Sequence, residues 1–136
     1  MSLSVIVYLH PQSVLQPRFL IESLKAQQQV EPEVHVFYTE GLALPELPES
    51  WQQTAVSPER SCAEIWQQGW SQSQAEHVAF FSQSVMLHPL HFATLLQTMQ
   101  SQNLEVSCTR PDFVDNQLLP VPEMVLPTLK ATDWPG

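Results

Sequence analysis

Glycine, positive charge and aspartate are all scarce in this sequence. Its three glycines stand at 41, 69 and 136, too far apart for a Walker loop or a dinucleotide fingerprint. Both need clustered glycines so that backbone can approach phosphate. Only 5 Lys and Arg face 14 Asp and Glu, a formal net charge of -9. Nucleic-acid affinity comes largely from cations that displace counterions, so no nucleic-acid partner is expected. No apolar run approaches the roughly 18 residues of a membrane span, and no basic segment precedes the first apolar stretch. Neither a membrane span nor a secretory signal is expected, and the chain reads as a cytoplasmic protein. The two cysteines, Cys62 and Cys108, have neither CxxC nor metal-site spacing and read as buried, reduced thiols. A thioredoxin-like redox site is excluded with them. Aspartate occurs only at 112, 115 and 133, so any chemistry placed before those positions, including a receiver-type phosphoacceptor, must do without it.

The 136 residues, 43% of them apolar, suffice for one domain with a real core. Ser4 to Leu9 is β-branched and apolar, the pattern of a strand buried on both faces, and it stops at His10-Pro11. Pro17 suits a first helical turn, with Phe19, Leu20 and Leu24 facing inward as far as the Gln27-Gln28-Gln29 run. Val34 to Tyr38 reads as a second strand, and Glu40 to Gln53, with Gly41, Pro45 and Pro48, as loop. Ser57 with Pro58 predicts a helix start, followed by Cys62, Ile65, Trp66 and Gly69 at helical spacing. His77 to Phe81 is a third buried strand. Pro89 opens a helix whose Phe92, Leu95, Leu96 and Met99 form one face. Leu104, Val106 and Cys108 alternate as a strand, and from Pro111 onward the proline content predicts an irregular tail. The order predicts a three-layer α/β domain over residues 1–110 with a mainly parallel sheet and right-handed crossovers, followed by a Pro-rich tail over 111–136.

Three stretches together resemble the nucleotide-binding half of GT-A glycosyltransferases of the family 2 type. Ser4 to Pro11 followed by Phe19 to Gln27 looks like that family's first strand, loop and "ESLLAQ" helix. Glu33 to Gly41 sits where the family carries "EVIVVDDGS". Ala63 to Gly69 and Ala75 to Pro89 look like "ARNxG" and "GEYIAFLDADDVLxP". The resemblance spans Ser4 to Met99 and implies a truncated GT-A-like fold, because the chain ends before an acceptor-binding half. It also implies a nucleotide-sugar ligand and a divalent cation. The departures fall on the chemistry. The family's base-binding Asp after the second strand is represented by Tyr38, Thr39 and Glu40, of which only Glu40 is acidic. The two aspartates of its metal-binding DxD motif are represented by Ser82 and Ser84, neutral hydroxyls where a hard cation prefers carboxylate. What the resemblance implies here is a degenerate domain with no cofactor of its own and no catalytic residue.

His10, Tyr38, Glu40, Arg60, Ser82 and Ser84 are the candidate nucleotide-binding residues, since open α/β sheets bind ligands at the carboxyl ends of their strands. Arg60 could meet a phosphate; the alternative is an exposed pair with Glu59 or Glu64. His88 and His91 are the one close histidine pair, too few for a zinc site, and read as structural or surface groups. Trp66 fits the inward helix stripe. Trp51, Trp70 and Trp134 are candidates for a protein-binding surface, as are the tail and the loop from Glu40 to Gln53. The functional expectation is a glycosyltransferase-like domain without metal-dependent transfer that retains weak nucleotide-sugar binding. The alternative is a protein-interaction or regulatory module that uses the sheet as scaffold.

Overall fold

A computed structural model describes residues 2–11, 17–82 and 85–105. Within them the chain forms β1 (Leu3–Leu9), α1 (Pro17–Lys25), β2 (Glu33–Thr39), β3 (Gln52–Val56), α2 (Cys62–Gln72), β4 (His77–Ser82) and α3 (His91–Gln102). The four strands make one sheet in the order β3-β2-β1-β4, and every pairing is parallel. The architecture is therefore α/β, with an all-parallel sheet between two covering layers.

β1 is central, and all seven of its residues are buried, as expected of a strand covered on both faces. Its side chains alternate. Leu3, Val5, Val7 and Leu9 point into one core with Leu20, Ile21 and Leu24 of α1 and Phe92 and Leu96 of α3. Ile6 and Tyr8 point into the other, with Phe37, Val56 and Ile65 of α2. The segment between β2 and β3 contains no helix. Leu42, Leu44, Leu47 and Trp51 pack from it onto the α1 side of the sheet, so an apolar loop supplies the crossover cover that a helix usually provides.

The structure departs from the sequence-based expectations at identifiable places. β3 takes in Gln52 and Gln53, the end of the segment that reads as loop, and continues through residues 54–56, which carry no predicted element. Its Gln52-Gln53-Thr54 start is polar because it is an edge strand, where exposed polar residues discourage further pairing. α2 begins at Cys62 rather than near Ser57, because Ser61 and Glu64 form a capping box. Ser57 instead closes a turn, accepting the Arg60 N–H at 3.1 Å through its carbonyl. β4 is half-buried along its whole length rather than fully buried, since among the described residues it pairs on one side only. Leu104 lies outside any strand, and Val106, Cys108 and the tail, with its Trp134, lie outside the described residues.

Gln27 ties the layers on the α1 side together. Its side-chain amide donates to the carbonyls of Ser23 at 3.1 Å and His88 at 2.8 Å. Its Oε1 accepts the N–H of Phe92 at 3.2 Å, one of the donors that the first turn of a helix leaves unpaired. Leu90, at the N-cap of α3, has no side-chain capping bond, so Gln27 does from a distance what a capping residue does locally. Gln27→Ala is expected to lower stability by about 1–2 kcal/mol, the loss of two or three neutral hydrogen bonds, measured as a shift of the urea midpoint at unchanged slope.

Candidate functional site

The strand order reverses at β1: the chain proceeds from β1 to β2 and β3 on one side, then returns to place β4 on the other. In open parallel sheets, the carboxyl end of the sheet at such a reversal is where a binding crevice forms. The register specifies what stands there. Leu9 pairs with Tyr38 of β2, and Tyr8 pairs with Ser82 of β4.

Four of the six candidates reach this end as part of, or just beyond, β1, β2 and β4. His10 follows β1, its ring 5.3 Å from that of Tyr8, on the α2 side of the sheet. Ser82 shares that side by alternation with Val78 and Phe80. Tyr38 takes the opposite face, half-buried against the α1-side core. Glu40 follows β2, exposed, and its backbone N–H donates to the carbonyl of Val56 at 2.9 Å, tying the ends of β2 and β3. Thr39, between them, is buried with its hydroxyl 3.5 Å from the Leu9 carbonyl. Ser84 lies outside the described residues.

Arg60, just ahead of α2, is engaged within its own segment. One guanidinium nitrogen donates to Gln68 Oε1 at 2.6 Å, and Nε stands 3.9 Å from a Glu64 carboxylate oxygen. That carboxylate also accepts from Ser61, while the Ser61 hydroxyl accepts the Glu64 N–H at 3.2 Å. A helix N-terminus attracts anions through its free N–H groups and its dipole. Here the side chain of Glu64 already occupies that role and partly neutralises Arg60. A phosphate arriving at this end would have to displace a carboxylate that the chain itself supplies.

The same arithmetic applies to a cation. Ser82 offers one neutral hydroxyl, and Glu40 sits beyond the far side of β1 from it. Among the described residues no three of His, Cys, Asp and Glu converge as a metal-binding group. Among the described residues at this end, one hydroxyl and one distant carboxylate fall short of the several carboxylate oxygens that a hard divalent ion bridging two phosphates calls for. Cys62 is half-buried at the start of α2, and burial pushes its thiol up from the ordinary value, the direction opposite to that of a nucleophile.

Sequence reasoning did not find the groove of about 930 Å³ at the opposite end of the sheet, lined by Glu33, His35 and Gln52 at the starts of β2 and β3, and by Trp51 and Ser73. These residues come from segments with no shared motif, so only the folded register brings them together. Ser73 donates to Ser4 at 2.7 Å and Ser4 to Glu33 at 3.4 Å, which uses the hydroxyls for holding α2 to β1 and β2. Of the tryptophans, Trp51 packs on the core, and Trp66 lies against Phe80 with its indole N–H buried and without a hydrogen-bond partner among the described residues. Trp70 is 62% exposed and stacks on Phe80 with ring centroids 6.3 Å apart. Among the described residues no helix is long and apolar enough to cross a membrane. Comparison with models of known protein families and with curated proteins finds no match.

Proposed function

We propose that this chain is a GT-A-like domain of the family 2 glycosyltransferase type that has lost metal-dependent sugar transfer and retains weak binding of a nucleotide or nucleotide sugar. The observation that carries this reading is the position of Ser82. It ends the strand beside β1 at the reversal of an all-parallel sheet, at the place in the sequence where the resembling family has the first aspartate of its metal-binding pair. The engaged Arg60 and the capped α2 support the same conclusion, since among the described residues there a phosphate finds the guanidinium and the helix N-terminus already partnered by Gln68, Glu64 and Ser61.

Calorimetric titration with uridine and guanosine diphosphate sugars, with and without manganese, tests the proposal. Weak binding in the millimolar range, unchanged by manganese, is expected. Tight manganese-dependent binding, or hydrolysis of the donor, would remove the degenerate reading. The double variant Ser82→Asp/Ser84→Asp adds a second arm. Two carboxylates restored at the family's metal positions are expected to bring manganese-dependent nucleotide binding at least tenfold tighter than that of the native chain, about 1.4 kcal/mol. If manganese affinity stays the same, Ser82 is not at a former metal position.

A second reading, a protein-interaction module on the same scaffold, draws on the exposed Trp70 stacked on Phe80 beside β4. Aromatic residues so placed are common anchors at interfaces. Loss of partner capture in Trp70→Ala, with nucleotide binding unaffected, would favour it.

A further inference from the structure

Charge is divided unequally between the two sides of the sheet. From Ile65 to Leu104 the chain has a single Asp, Glu, Lys or Arg, which is Glu76. All other charged side chains of the described residues, apart from Glu105, lie between Arg18 and Glu64. The uncharged stretch builds the β4 side of the molecule: α2 from Ile65 on, β4 and α3. The large apolar side chains left exposed among the described residues, Trp70 at 62%, Met86 and Leu104, belong to that stretch as well.

β4 itself is an unprotected edge. Among the described residues it pairs only with β1, and it is half-buried along its whole length. The His77 N–H donates to the Ser2 carbonyl at 3.2 Å. Backbone groups alternate in direction along a strand, so the N–H and C=O of Val78 and Phe80 point away from β1. Edges that stay free in solution are blunted by charge, proline or a bulge. His77–Ser82 has no Pro, Asp, Glu, Lys or Arg, whereas β3 at the opposite edge begins with exposed glutamines. Aromatic rings flank β4 on both faces. Phe80 stacks on the exposed Trp70 with centroids 6.3 Å apart, and Phe81 lies 6.1 Å from His91 and 5.8 Å from Phe92 on the α3 side.

We propose that the β4 side is a self-association surface whose partner is a second copy of this chain, joined β4 to β4 in antiparallel fashion across a two-fold axis. The two sheets then continue into one. Charge selects this partner. Two chains of net charge -9 repel one another wherever their carboxylates meet, and the β4 side is where they touch without that repulsion. The charged β2 and β3 sides then stand farthest apart. A two-fold axis also serves both copies with the same surface, as an isologous contact requires. The pleat limits the register. An axis normal to the sheet keeps every side chain on its own face only if the pairing is centred on Ala79 or on Phe80. The first sets Val78 opposite Phe80 of the partner subunit, a β-branched and aromatic pair; the second sets the two Phe80 rings side by side. In both, the outward groups of Val78 and Phe80 find partners, and the two Glu76 side chains lie at opposite ends of the ladder.

This inference rests on the interaction reading above and is independent of nucleotide binding. One strand and one exposed tryptophan per copy make a contact smaller than the standard of about 800 Å² per partner, so a dissociation constant in the micromolar range is expected. Sedimentation velocity on the full chain over about 5–500 μM, in about 0.1 M and 0.5 M salt, tests this. A monomer–dimer equilibrium that tightens severalfold at the higher salt is expected, because screening removes the residual repulsion between like-charged copies. Trp70→Glu should raise the dissociation constant about tenfold or more, the scale of an interface anchor. Gln53→Glu, on the exposed edge of β3, should leave it within about twofold. Amide exchange on the native chain needs no substitution: protection of the Val78 and Phe80 amides should rise with concentration in step with the dimer fraction. A chain monomeric throughout would overturn the second copy while leaving the interaction reading to the capture test with Trp70→Ala; Val78 and Phe80 amides protected in that monomer would show that the chain covers β4 itself. A dimer that loosens with salt, that Trp70→Glu leaves intact, or that Gln53→Glu weakens equally would overturn the β4 surface.

Discussion

Replacing Phe37 with alanine is expected to destabilise the protein by about 3–5 kcal/mol, the usual cost of emptying a fully buried aromatic site. Phe37 is 0% exposed and is among the largest fully buried side chains of the described residues. It fills the α2 side of β2, in one cluster with Ile6, Tyr8, Val56 and Ile65, and the ring of His35 stacks on it at 4.1 Å. Ile6 and Tyr8 belong to a strand held on both sides by the parallel ladder, and Val56 and Ile65 close the cluster from β3 and α2, so the neighbours can do little to fill the space. Domains of ordinary stability hold about 5–15 kcal/mol in total, so this single change removes about a fifth of the total at the least and most of it at the lower end of that range. Urea unfolding should show a much lower midpoint at nearly unchanged slope, and Phe37→Leu, which keeps most of the volume, should cost under about 1.5 kcal/mol. Similar losses for the two variants would mean that the cluster relaxes around the cavity.

Gly69→Val is the second change expected to have a large effect, for the opposite reason. A Cβ at Gly69 would lie 2.6 Å from Cγ2 of Ile6 and 3.0 Å from its Cδ1 and Cγ1, and Ile6 is only 2% exposed. The close approach of α2 to β1 therefore depends on the missing side chain. Overpacking of this kind costs about 1–3 kcal/mol and at times more; with two further methyl groups, about 3 kcal/mol or more is expected for valine. Gly69→Ala separates the terms. Alanine favours a helix over glycine by about 1 kcal/mol, so a net loss of even 1 kcal/mol would mean a clash of about twice that size. In an Ile6→Ala background the clash disappears, and Gly69→Ala should then be neutral or stabilising. A double-mutant cycle measured by thermal or urea unfolding checks the sign of this coupling.

These two residues also show where sequence and structure part company. The apolar runs of β1, β2 and β4 announce themselves because strands covered on both faces are apolar almost throughout, and the spaced apolar faces of α1, α2 and α3 because one-sided burial imposes a period of 3.6. β3 does not, because an edge strand with exposed Gln52, Gln53 and Ala55 carries neither pattern. The α2 boundary was misplaced because Ser57 and Ser61 are both credible caps, and only Ser61 has a Glu three residues on. Gln27 read as the first of three glutamines ending a helix. Its bonds to His88 and Phe92 span more than sixty residues, and no local pattern encodes them.

The candidate site was legible to the same degree. That His10, Tyr38, Glu40 and Ser82 sit at strand ends follows from reading the strands. That Ser82 stands beside Tyr8 while Tyr38 turns to the opposite face follows only from the pairing register. Arg60 was open between a ligand and an ion pair. Its bonds to Gln68 and Glu64 arise because helical periodicity brings residues four and eight positions on to its side of α2.

The central place of β1 bears on how the chain is made. β1 is the most thoroughly buried of the four described strands and precedes the other three in the chain, and its partner on one side, β4, follows about seventy residues later. At about 5–20 residues per second, that edge of Leu3–Leu9 stays open for several seconds of translation, an apolar, β-branched segment with half its ladder unfilled. Such segments are prone to pair with other chains. Slowed synthesis between residues 40 and 76 should therefore lower soluble yield, and so should a destabilised β2, which would leave β1 without its first partner.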